Sequence, residues 1–491
     1  MRTPDEAKVI DIFTHFYEVR GIMARRRSTT HPDSSSGTLL QEKPCLPKVP
    51  PVLTNGDSNK LFQEDRAGHD WYRFVLSYPP HLVREYLTAF GLGAGQRVLD
   101  PFCGTGTTLV ECKKLGIDSV GIEANPMAHF ASSVKVDWNP EPGRLVRDAE
   151  RIAGEALTYL GHEGISDDPL PLFAKNHPPD VTLRSLPEAA NRLLLANSIS
   201  PLPLHKTLVL LEFIQTTGTA ECRRHYLLAL AKSIVFTSSN LRFGPEVGLG
   251  KIKPDAAVVQ PWLEGVRGIA RDLESLRGSS TAESSVLLAD SRSASSALEK
   301  GSVDAVITSP PYPNEKDYTR TTRLESVILG FINDKEELRA LKRNLVRSNT
   351  RGVYKGDDDD SWVSSHLEIQ GIAEEIETRR LLMSKTSGFE RLYGRVAKLY
   401  FGGMARHLAD LRGVLRPGAR LAYVVGDQAS YLRVMIRTGE ILGRIAQSLG
   451  YELVTIDLFR TRLATATREQ LREEVVVLQW PGKPQRRGQQ A

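Results

Sequence analysis

Residues 98–116 read VLDPFCGTGTTLVECKKLG, and they join an apolar run, a glycine-rich turn and a helix-forming segment in one short stretch. The pattern predicts a buried strand at 97–100, a tight turn at 103–107 and a helix at 108–115. A second apolar run predicts another strand at 119–123, directly after the helix. Strand, helix and strand in this order form a βαβ unit, which indicates a parallel sheet with helices on its faces.

Polar and small residues stand at one edge of that predicted sheet. Asp100 ends the first strand, and Gly104 and Gly106 follow in the turn, where small residues let backbone N–H groups approach a ligand. Glu123 ends the second strand 23 residues after Asp100, a spacing that suits a carboxylate binding the two hydroxyls of a ribose. The stretch lacks the GxGxxG spacing expected for a nicotinamide cofactor. A purely structural turn is the alternative interpretation.

A second motif lies in VDAVITSPPYPNEKDY, residues 303–318, which predicts a strand at 303–308 followed by Ser309, Pro310, Pro311 and Tyr312. Two adjacent prolines make a stiff, extended segment without backbone N–H groups, so their carbonyl oxygens are held as acceptors. These acceptors suit an exocyclic amine, whose lone pair is delocalised into its ring and must be freed by positioned hydrogen bonds. Ser309 Oγ and the Pro310 carbonyl would accept these bonds, and Tyr312 would stack on the base. The alternative is that the prolines merely end a strand.

DPFCGTGTT, GIEANP and SPPY together resemble the motifs of S-adenosylmethionine-dependent DNA amino-methyltransferases, over about residues 65–140 and 283–480. The resemblance implies S-adenosyl-L-methionine as the cofactor, with its methionine end in the glycine turn, its ribose on Glu123 and its adenine beside Asp290. The segment WYRFVLSYPPHLV resembles the one that packs beside the methionine end. The cofactor residues implied are Asp100, Pro101, Phe102, Gly104, Gly106, Thr107, Glu123, Asn125, Asp290 and Tyr78; the catalytic residues implied are Ser309, Pro310, Pro311 and Tyr312.

The same resemblance implies a class I methyltransferase fold: an α/β, Rossmann-like, doubly wound sheet of seven mostly parallel strands, with helical insertions and an antiparallel last strand at 474–480. The chain is then expected to divide into a flexible tail at 1–60, a discontinuous methyltransferase core at 61–140 and 281–480, a mostly helical insert at 141–280 that is a candidate for target recognition, a second insertion within the core at 333–391, and a flexible tail at 481–491.

The implied activity is methylation of an amino group of a DNA base. In this family the serine form of the tetrapeptide accompanies cytosine N4 methylation more often, and an aspartate accompanies adenine N6 methylation, so we expect a cytosine-N4-specific DNA methyltransferase. An adenine-N6 enzyme, a guanine-N2 RNA methyltransferase and an inactive nucleic-acid-binding subunit stay open. Cytosine C5 methylation is disfavoured because it needs a cysteine nucleophile after a proline, and Pro44–Cys45 lies in the predicted tail.

A double-stranded DNA substrate requires that the target base leave the stack while other residues hold the phosphates. Residues 320–355 carry nine basic side chains against four acidic ones, and the acidic run at 357–360 is expected to end this basic surface. The insert at 141–280 is a second candidate. Such enzymes often belong to restriction-modification systems, so a cognate restriction endonuclease or another defence-system protein is a candidate partner. The expected phosphate contacts are Arg320, Arg323, Lys342, Arg343, Arg347, Arg351 and Lys355.

Composition narrows the class further. The 491 residues carry a net charge of +5, which fits a polyanionic partner without requiring one. No apolar run is long enough to span a bilayer, and residues 1–16 are charged where a signal peptide would be apolar, so we expect a cytoplasmic protein. Four cysteines are too few for a disulfide scaffold, and none has zinc-ligand spacing, so no metal site is expected.

Overall fold

The computed structural model describes residues 60–72, 77–168, 181–243, 247–313, 316–463 and 470–483, all of which belong to one compact unit, Val49–Ala491. The two predicted tails, 1–60 and 481–491, lie outside these ranges except for residues 60 and 481–483. The strands are β1 (Arg97–Asp100), β2 (Asp118–Glu123), β3 (Leu241–Phe243), β4 (Val247–Leu249), β5 (Ser284–Leu288), β6 (Val303–Thr308), β7 (Leu415–Gly426), β8 (Glu452–Leu463) and β9 (Gln470–Gln479).

Seven of these strands form one sheet in the order β5-β2-β1-β6-β7-β9-β8. The pairs from β5 to β7 are parallel, whereas β9 runs antiparallel to both β7 and β8. This confirms the predicted seven-stranded, mostly parallel class I sheet with a reversed last strand. The strand order reverses direction between β1 and β6, and ligands of such sheets bind at the carboxyl ends of the strands at this point.

Helices cover both faces of the sheet and fill the connections. They are α1 (Arg66–His69), α2 (Pro80–Ala89), α3 (Thr107–Lys114), α4 (Pro126–Lys135), α5 (Pro142–His162), α6 (Glu188–Asn191), α7 (Pro201–Thr217), α8 (Arg223–Ser233), α9 (Val259–Leu276), α10 (Tyr318–Thr321), α11 (Arg323–Ile328), α12 (Lys335–Arg343), α13 (Leu367–Leu382), α14 (Tyr393–Leu411) and α15 (Thr438–Ser448). Proline opens α2, α4, α5 and α7, because its fixed φ and missing N–H suit the first helical turn.

The insert at 141–280 shares a hydrophobic core with the sheet's own helices. Met127 and Phe130 of α4 belong to the same buried cluster as Ile152 of α5 and Trp262 of α9. Leu324 of α11, which follows the second motif, completes this cluster. The insert is therefore packed firmly against the core. Its small hairpin, β3–β4, is antiparallel.

Ion pairs attach the second insertion, 333–391, to the core. Asp359 of the insertion pairs with Arg292 of the core at 2.5 Å, whereas Asp357 accepts two hydrogen bonds within the insertion, from the Arg347 guanidinium at 2.8 and 2.9 Å. Arg406 of α14 reaches the other oxygen of Asp359 at 3.2 Å. Asp357 and Asp359 thus neutralise arginines within the protein, whereas the sequence suggested that the acidic run at 357–360 marks the end of a basic surface.

Several element boundaries differ from the sequence-based predictions. The last strand, predicted to begin at 474, begins at 470, because β8 and β9 continue as a charged ladder beyond the apolar core. Helix α15 begins at Thr438, since Leu432 and Arg433 before it have φ values of 53° and 64° and residues 428 and 436 form a bridge. Of the helices in the described ranges, none combines the length and apolarity that a bilayer crossing requires.

Candidate active site

A cavity of about 600 Å³ opens at the carboxyl ends of the parallel strands. Its wall includes Phe102 and Gly104 from the turn after β1, and Ser309 and Tyr312 from the segment after β6. The two motifs, which are separated by some two hundred residues of chain, therefore face one space. β1 and β6 are neighbours in the sheet, which is why their carboxyl ends meet.

The glycine turn is open toward this cavity on one side and closed on the other. Gly104 has a φ of +51°, and a Cβ placed on it would meet nothing within 4 Å. Gly106 has a φ of +83°, and a Cβ there would lie 3.0 Å from Ser132 Cβ of α4. Gly104 thus leaves room for a ligand beside the backbone, whereas Gly106 permits the close packing of the turn on α4.

Glu123 lies at the end of β2 on the cavity wall. Its carboxylate accepts hydrogen bonds from Gly104 N and Asn125 N, both at 2.8 Å. Burial raises the pKa of Glu123 to about 7, against the lowering effect of these two N–H groups. The side chain therefore braces the glycine turn and presents a carboxylate that changes charge near neutral pH.

Asp100 connects the two motifs from below. Its carboxylate accepts hydrogen bonds from Thr308 Oγ1 at 2.6 Å, from Phe102 N at 3.2 Å and from the Tyr78 hydroxyl at 3.1 Å. The side chain is fully buried, and this burial raises the pKa of Asp100 to about 6. Because Thr308 directly precedes Ser309, Asp100 fixes the glycine turn and the tetrapeptide relative to each other.

The tetrapeptide holds its acceptors and its ring in defined positions. The Ser309 hydroxyl donates to the Val424 carbonyl of β7 at 3.2 Å. Tyr312 N donates to the Tyr318 hydroxyl at 3.1 Å. The Tyr312 ring lies over Gly426 at the end of β7, where an added Cβ would come within 2.9 Å of Tyr312 Cε2. Burial, followed by the nearby Glu473 carboxylate, raises the pKa of Tyr312, so its hydroxyl stays protonated.

The predicted cofactor residues divide into those on the cavity wall and those behind it. Asn125 is on the wall and also caps α4, since its Oδ1 accepts from Met127 N at 3.1 Å. Asp290 is not on the wall; its carboxylate accepts from Arg292 Nη2 at 2.6 Å, while its neighbours Ala289 and Ser291 line the cavity. The residues on the wall are Tyr78, Pro101, Phe102, Gly104, Thr107, Glu123 and Asn125; those behind it are Asp100, Gly106 and Asp290.

The basic residues expected to contact phosphate are not spread over one surface. Lys342 and Arg347 line the cavity, but Lys342 pairs with Asp317 at 2.7 Å, and Arg347 is buried against Asp357 at 2.8 Å. A phosphate contact by either side chain would have to break its pair. Arg343, Arg351 and Lys355 are exposed, and Arg320 and Arg323 are half-buried.

Several residues of the site were not predicted. Lys316, Asp317 and Tyr318 follow the tetrapeptide within a few positions and line the cavity, so their nearness in sequence was the available signal. Arg460, Arg462 and Glu473 of β8 and β9 also line it, but nothing local in the sequence indicated that this hairpin reaches the tetrapeptide.

His407 of α14 is a further residue that the sequence did not reveal. Its ring packs edge-on against Phe102 of the glycine turn, with 4.9 Å between ring centroids. Nδ1 lies 2.8 Å from the Ser291 carbonyl and Nε2 lies 2.7 Å from the Tyr423 hydroxyl. Burial lowers the pKa of His407 to about 4, so the ring is neutral and holds the turn by packing and hydrogen bonds.

These features fit S-adenosyl-L-methionine. The space beside Gly104 accommodates a ligand against the backbone, and Glu123 supplies a carboxylate acceptor for ribose hydroxyls at the adjacent strand end. The described residues hold no group of three or more His, Cys, Asp or Glu side chains placed for a metal ion. Cys103 and Cys112 are buried, and burial raises the pKa of both thiols, which is typical of packing cysteines.

The fold and the cavity at the strand ends together define a class I methyltransferase. Comparison with known proteins narrows this class. Residues 58–132 match the family described as DNA methylase. The chain is 25% identical over 432 residues to the Type II methyltransferase M.BsoBI of Geobacillus stearothermophilus, covering 83% of each protein. It is 22% identical over 454 residues to the Type II methyltransferase M.AvaI of Nostoc sp., covering 85% of this chain and 87% of that protein.

A shorter similarity connects the chain to an RNA enzyme. Over 110 residues, 22% of this chain and 26% of the relative, it is 45% identical to the tRNA (guanine(10)-N2)-dimethyltransferase of Methanothermobacter thermautotrophicus. The long matches are to Type II methyltransferases. The family match and the two long similarities together support the S-adenosylmethionine-dependent DNA amino-methyltransferase family, whose activity implies S-adenosylmethionine as the methyl donor.

Proposed function

We propose that this chain transfers a methyl group from S-adenosyl-L-methionine to the exocyclic N4 of cytosine in double-stranded DNA. The observation that carries the proposal is the single cavity, since Gly104 and Ser309 both lie on its wall. A donor in the glycine turn and an amine at the tetrapeptide would be neighbours there. Positioning of this kind supplies much of the rate of a transfer reaction.

The tetrapeptide would hold the amine by accepting its hydrogen bonds. Because the Ser309 hydroxyl donates its hydrogen to the Val424 carbonyl, the lone pairs of its oxygen can accept hydrogen bonds from a ligand. One N–H of the amine would bind Ser309 Oγ and the other would bind the Pro310 carbonyl. Both bonds draw the nitrogen lone pair out of the ring and toward the reacting carbon.

When bound, S-adenosylmethionine would supply an electrophilic methyl group on its sulfonium sulfur for transfer to the amine nitrogen, with one amine proton lost to water. Tyr312 would stack on the base and hold its plane. Its ring is fixed by Gly426 below and by the bond from Tyr312 N to Tyr318. Glu123 and the glycine turn would hold the cofactor, and Asp100 would act as a positioning residue behind both.

Serine at position 309 supports cytosine N4 as the target, since the family resemblance associates the aspartate form with adenine N6. Adenine N6 is the second candidate, because either amine presents two N–H groups to the same two acceptors. DNA is favoured over RNA because the relatives that cover 83–85% of this chain are named Type II methyltransferases, whereas the tRNA enzyme covers 22%. The same names support a place in a restriction-modification system with a cognate endonuclease.

Tritium transfer from labelled S-adenosylmethionine tests the proposal directly. Purified protein is incubated with genomic DNA or with transfer RNA, and the nucleosides of each digest are separated. We expect label in N4-methylcytosine of DNA at one sequence context. Label in N6-methyladenine would support the second candidate, and label confined to guanine of transfer RNA would overturn the proposal.

A further inference from the structure

One end of the cavity carries more positive than negative charge. Lys316, Arg460, Arg462 and Glu473 all line this part of the wall, and we call the four the cationic end. Arg460 Nε lies 2.5 Å from one Glu473 oxygen, and Arg462 Nε lies 3.4 Å from the other. Within the described wall, the two arginines therefore share the Glu473 carboxylate, and Lys316 lines the same part of the cavity.

The other cations of the cavity are balanced by acids. Lys342 pairs with Asp317 and Arg347 pairs with Asp357. At the cationic end, burial and then the neighbouring Arg462 charge lower the pKa of Lys316, against the raising effect of the Glu473 carboxylate. Like charges held this close repel each other, and a bound anion would relieve the repulsion.

The order of the sheet separates this end from the cofactor turn. Arg460 and Arg462 lie on β8 and Glu473 on β9, at the far edge of β5-β2-β1-β6-β7-β9-β8. Ser309 follows β6, and Glu123 ends β2 on the opposite side. Glu473 is two strands from Ser309, or about 10 Å at ordinary strand spacing. An anion here would lie across the tetrapeptide from the cofactor turn.

The cationic end also begins where the Tyr312 ring ends. Gly426 pairs with Glu473 in the ladder between β7 and β9. A Cβ on Gly426 would lie 2.9 Å from Tyr312 Cε2 and 3.3 Å from Glu473 Cγ, so ring and carboxylate flank the same backbone position. An anion bound there would lie next to a base stacked on Tyr312, as a phosphate of the same DNA strand would.

We propose that the cationic end binds a backbone phosphate of DNA next to the flipped target nucleotide, with Arg462 as the principal contact. This inference rests on the proposed function. Arg462 is the better contact because its side chain is 41% exposed and its link to Glu473 is long. Arg460 keeps the short pair with Glu473 and so holds that carboxylate in place. The phosphate site thus lies on the β8–β9 hairpin, outside the basic window at 320–355.

The variant Arg462→Gln tests this inference, with DNA affinity measured by fluorescence anisotropy over a range of salt concentrations. On a duplex that contains the methylated sequence, loss of one phosphate contact should reduce the slope of log K against log salt by about one, whereas the slope on an unrelated duplex, in which no base is flipped, should change less. Affinity at fixed salt should fall roughly tenfold, the value of one charge-assisted hydrogen bond. Arg462→Lys should keep most of the slope because it keeps the charge.

Arg416→Gln is the matched control. Arg416 is 49% exposed, pairs with Asp304 at 2.7 Å and lies at the end of β7 that is far from Gly426 and the cavity. The Arg416→Gln variant therefore loses a comparable surface ion pair away from the cavity. Equal slopes for Arg462→Gln and Arg416→Gln would overturn the inference about the phosphate site without contradicting the proposed methylation of DNA. A fall in S-adenosylmethionine affinity with unchanged DNA affinity would assign the anion to the cofactor and also overturn it. If the wild-type protein labels no DNA, the proposed function itself fails.

Discussion

The Ser309 hydroxyl is placed to accept a hydrogen bond from a ligand, because its own hydrogen is already donated. Its hydrogen is committed to the Val424 carbonyl, so the oxygen serves as an acceptor and not as a base. Asp100 behind it is buried, and Glu123 at the end of β2 is half-buried; both carboxylates have raised pKa values, of about 6 and 7. In the proposed mechanism the residues of the site are thus specialised: hydroxyl and carbonyl oxygens would face the amine, and carboxylates organise the loops.

Ser309→Ala should lower kcat by roughly 10²-fold, the usual cost of one positioned hydrogen bond in a transition state, while leaving cofactor binding unchanged. Single-turnover methylation and calorimetric titration with S-adenosylmethionine measure the two quantities. Ser448→Ala is the control, since Ser448 also donates to a carbonyl, that of Ile445 at 2.7 Å, but is exposed at the end of α15. Full activity in Ser309→Ala would remove this serine from the mechanism.

Cofactor affinity should depend on pH through Glu123. Its pKa is raised to about 7, so the carboxyl is protonated below that pH and loses part of its capacity to accept from ribose hydroxyls. Affinity should therefore be highest above pH 7 and fall as the pH decreases, by roughly tenfold at one pH unit below the pKa. Titrations at several pH values check this. Glu123→Gln should bind weakly with no such dependence, and an unchanged pH profile in that variant would contradict the assignment.

At the scale of elements, the second insertion at 333–391 forms part of the cavity wall because a few ion pairs attach it to the core. Asp359 is central, since it is buried and paired with both Arg292 and Arg406. Arg292 in turn holds Asp290 beside the wall. Loss of the Asp359 carboxylate would leave the buried Arg292 charge incompletely compensated.

Asp359→Asn should lower the free energy of unfolding by about 3 kcal/mol, because breaking a buried ion pair leaves an uncompensated charge. Urea unfolding measures the loss, and hydrogen exchange of the wall segment 344–352 should accelerate. Asp358→Asn is the control, since Asp358 is its exposed neighbour. If both variants were equally stable, the insertion would have to be held by its apolar contacts alone.

At the scale of the whole molecule, the parts of the site that sequence could predict are those encoded by contiguous motifs. A strand followed by a glycine turn specifies its own geometry, so residues 97–123 fold as expected. Arg347 was misleading because its burial depends on a chain reversal that brings Asp357 back onto it. Arg460 and Glu473 were missed because only the pairing of β8 and β9 at the sheet edge turns them toward Tyr312.

A crystal structure with S-adenosylhomocysteine and a duplex containing the methylated sequence tests the central claim most directly. The account predicts the sulfur beside Gly104 and a flipped cytosine on Tyr312, with its N4 within hydrogen-bond distance of Ser309 Oγ. The gap left for the transferred methyl should place sulfur and nitrogen about 5 Å apart, which is a carbon–sulfur bond of about 1.8 Å plus an approach of about 3–3.5 Å between nitrogen and the methyl carbon. A cofactor bound in the glycine turn with the target base held in a separate pocket would contradict it.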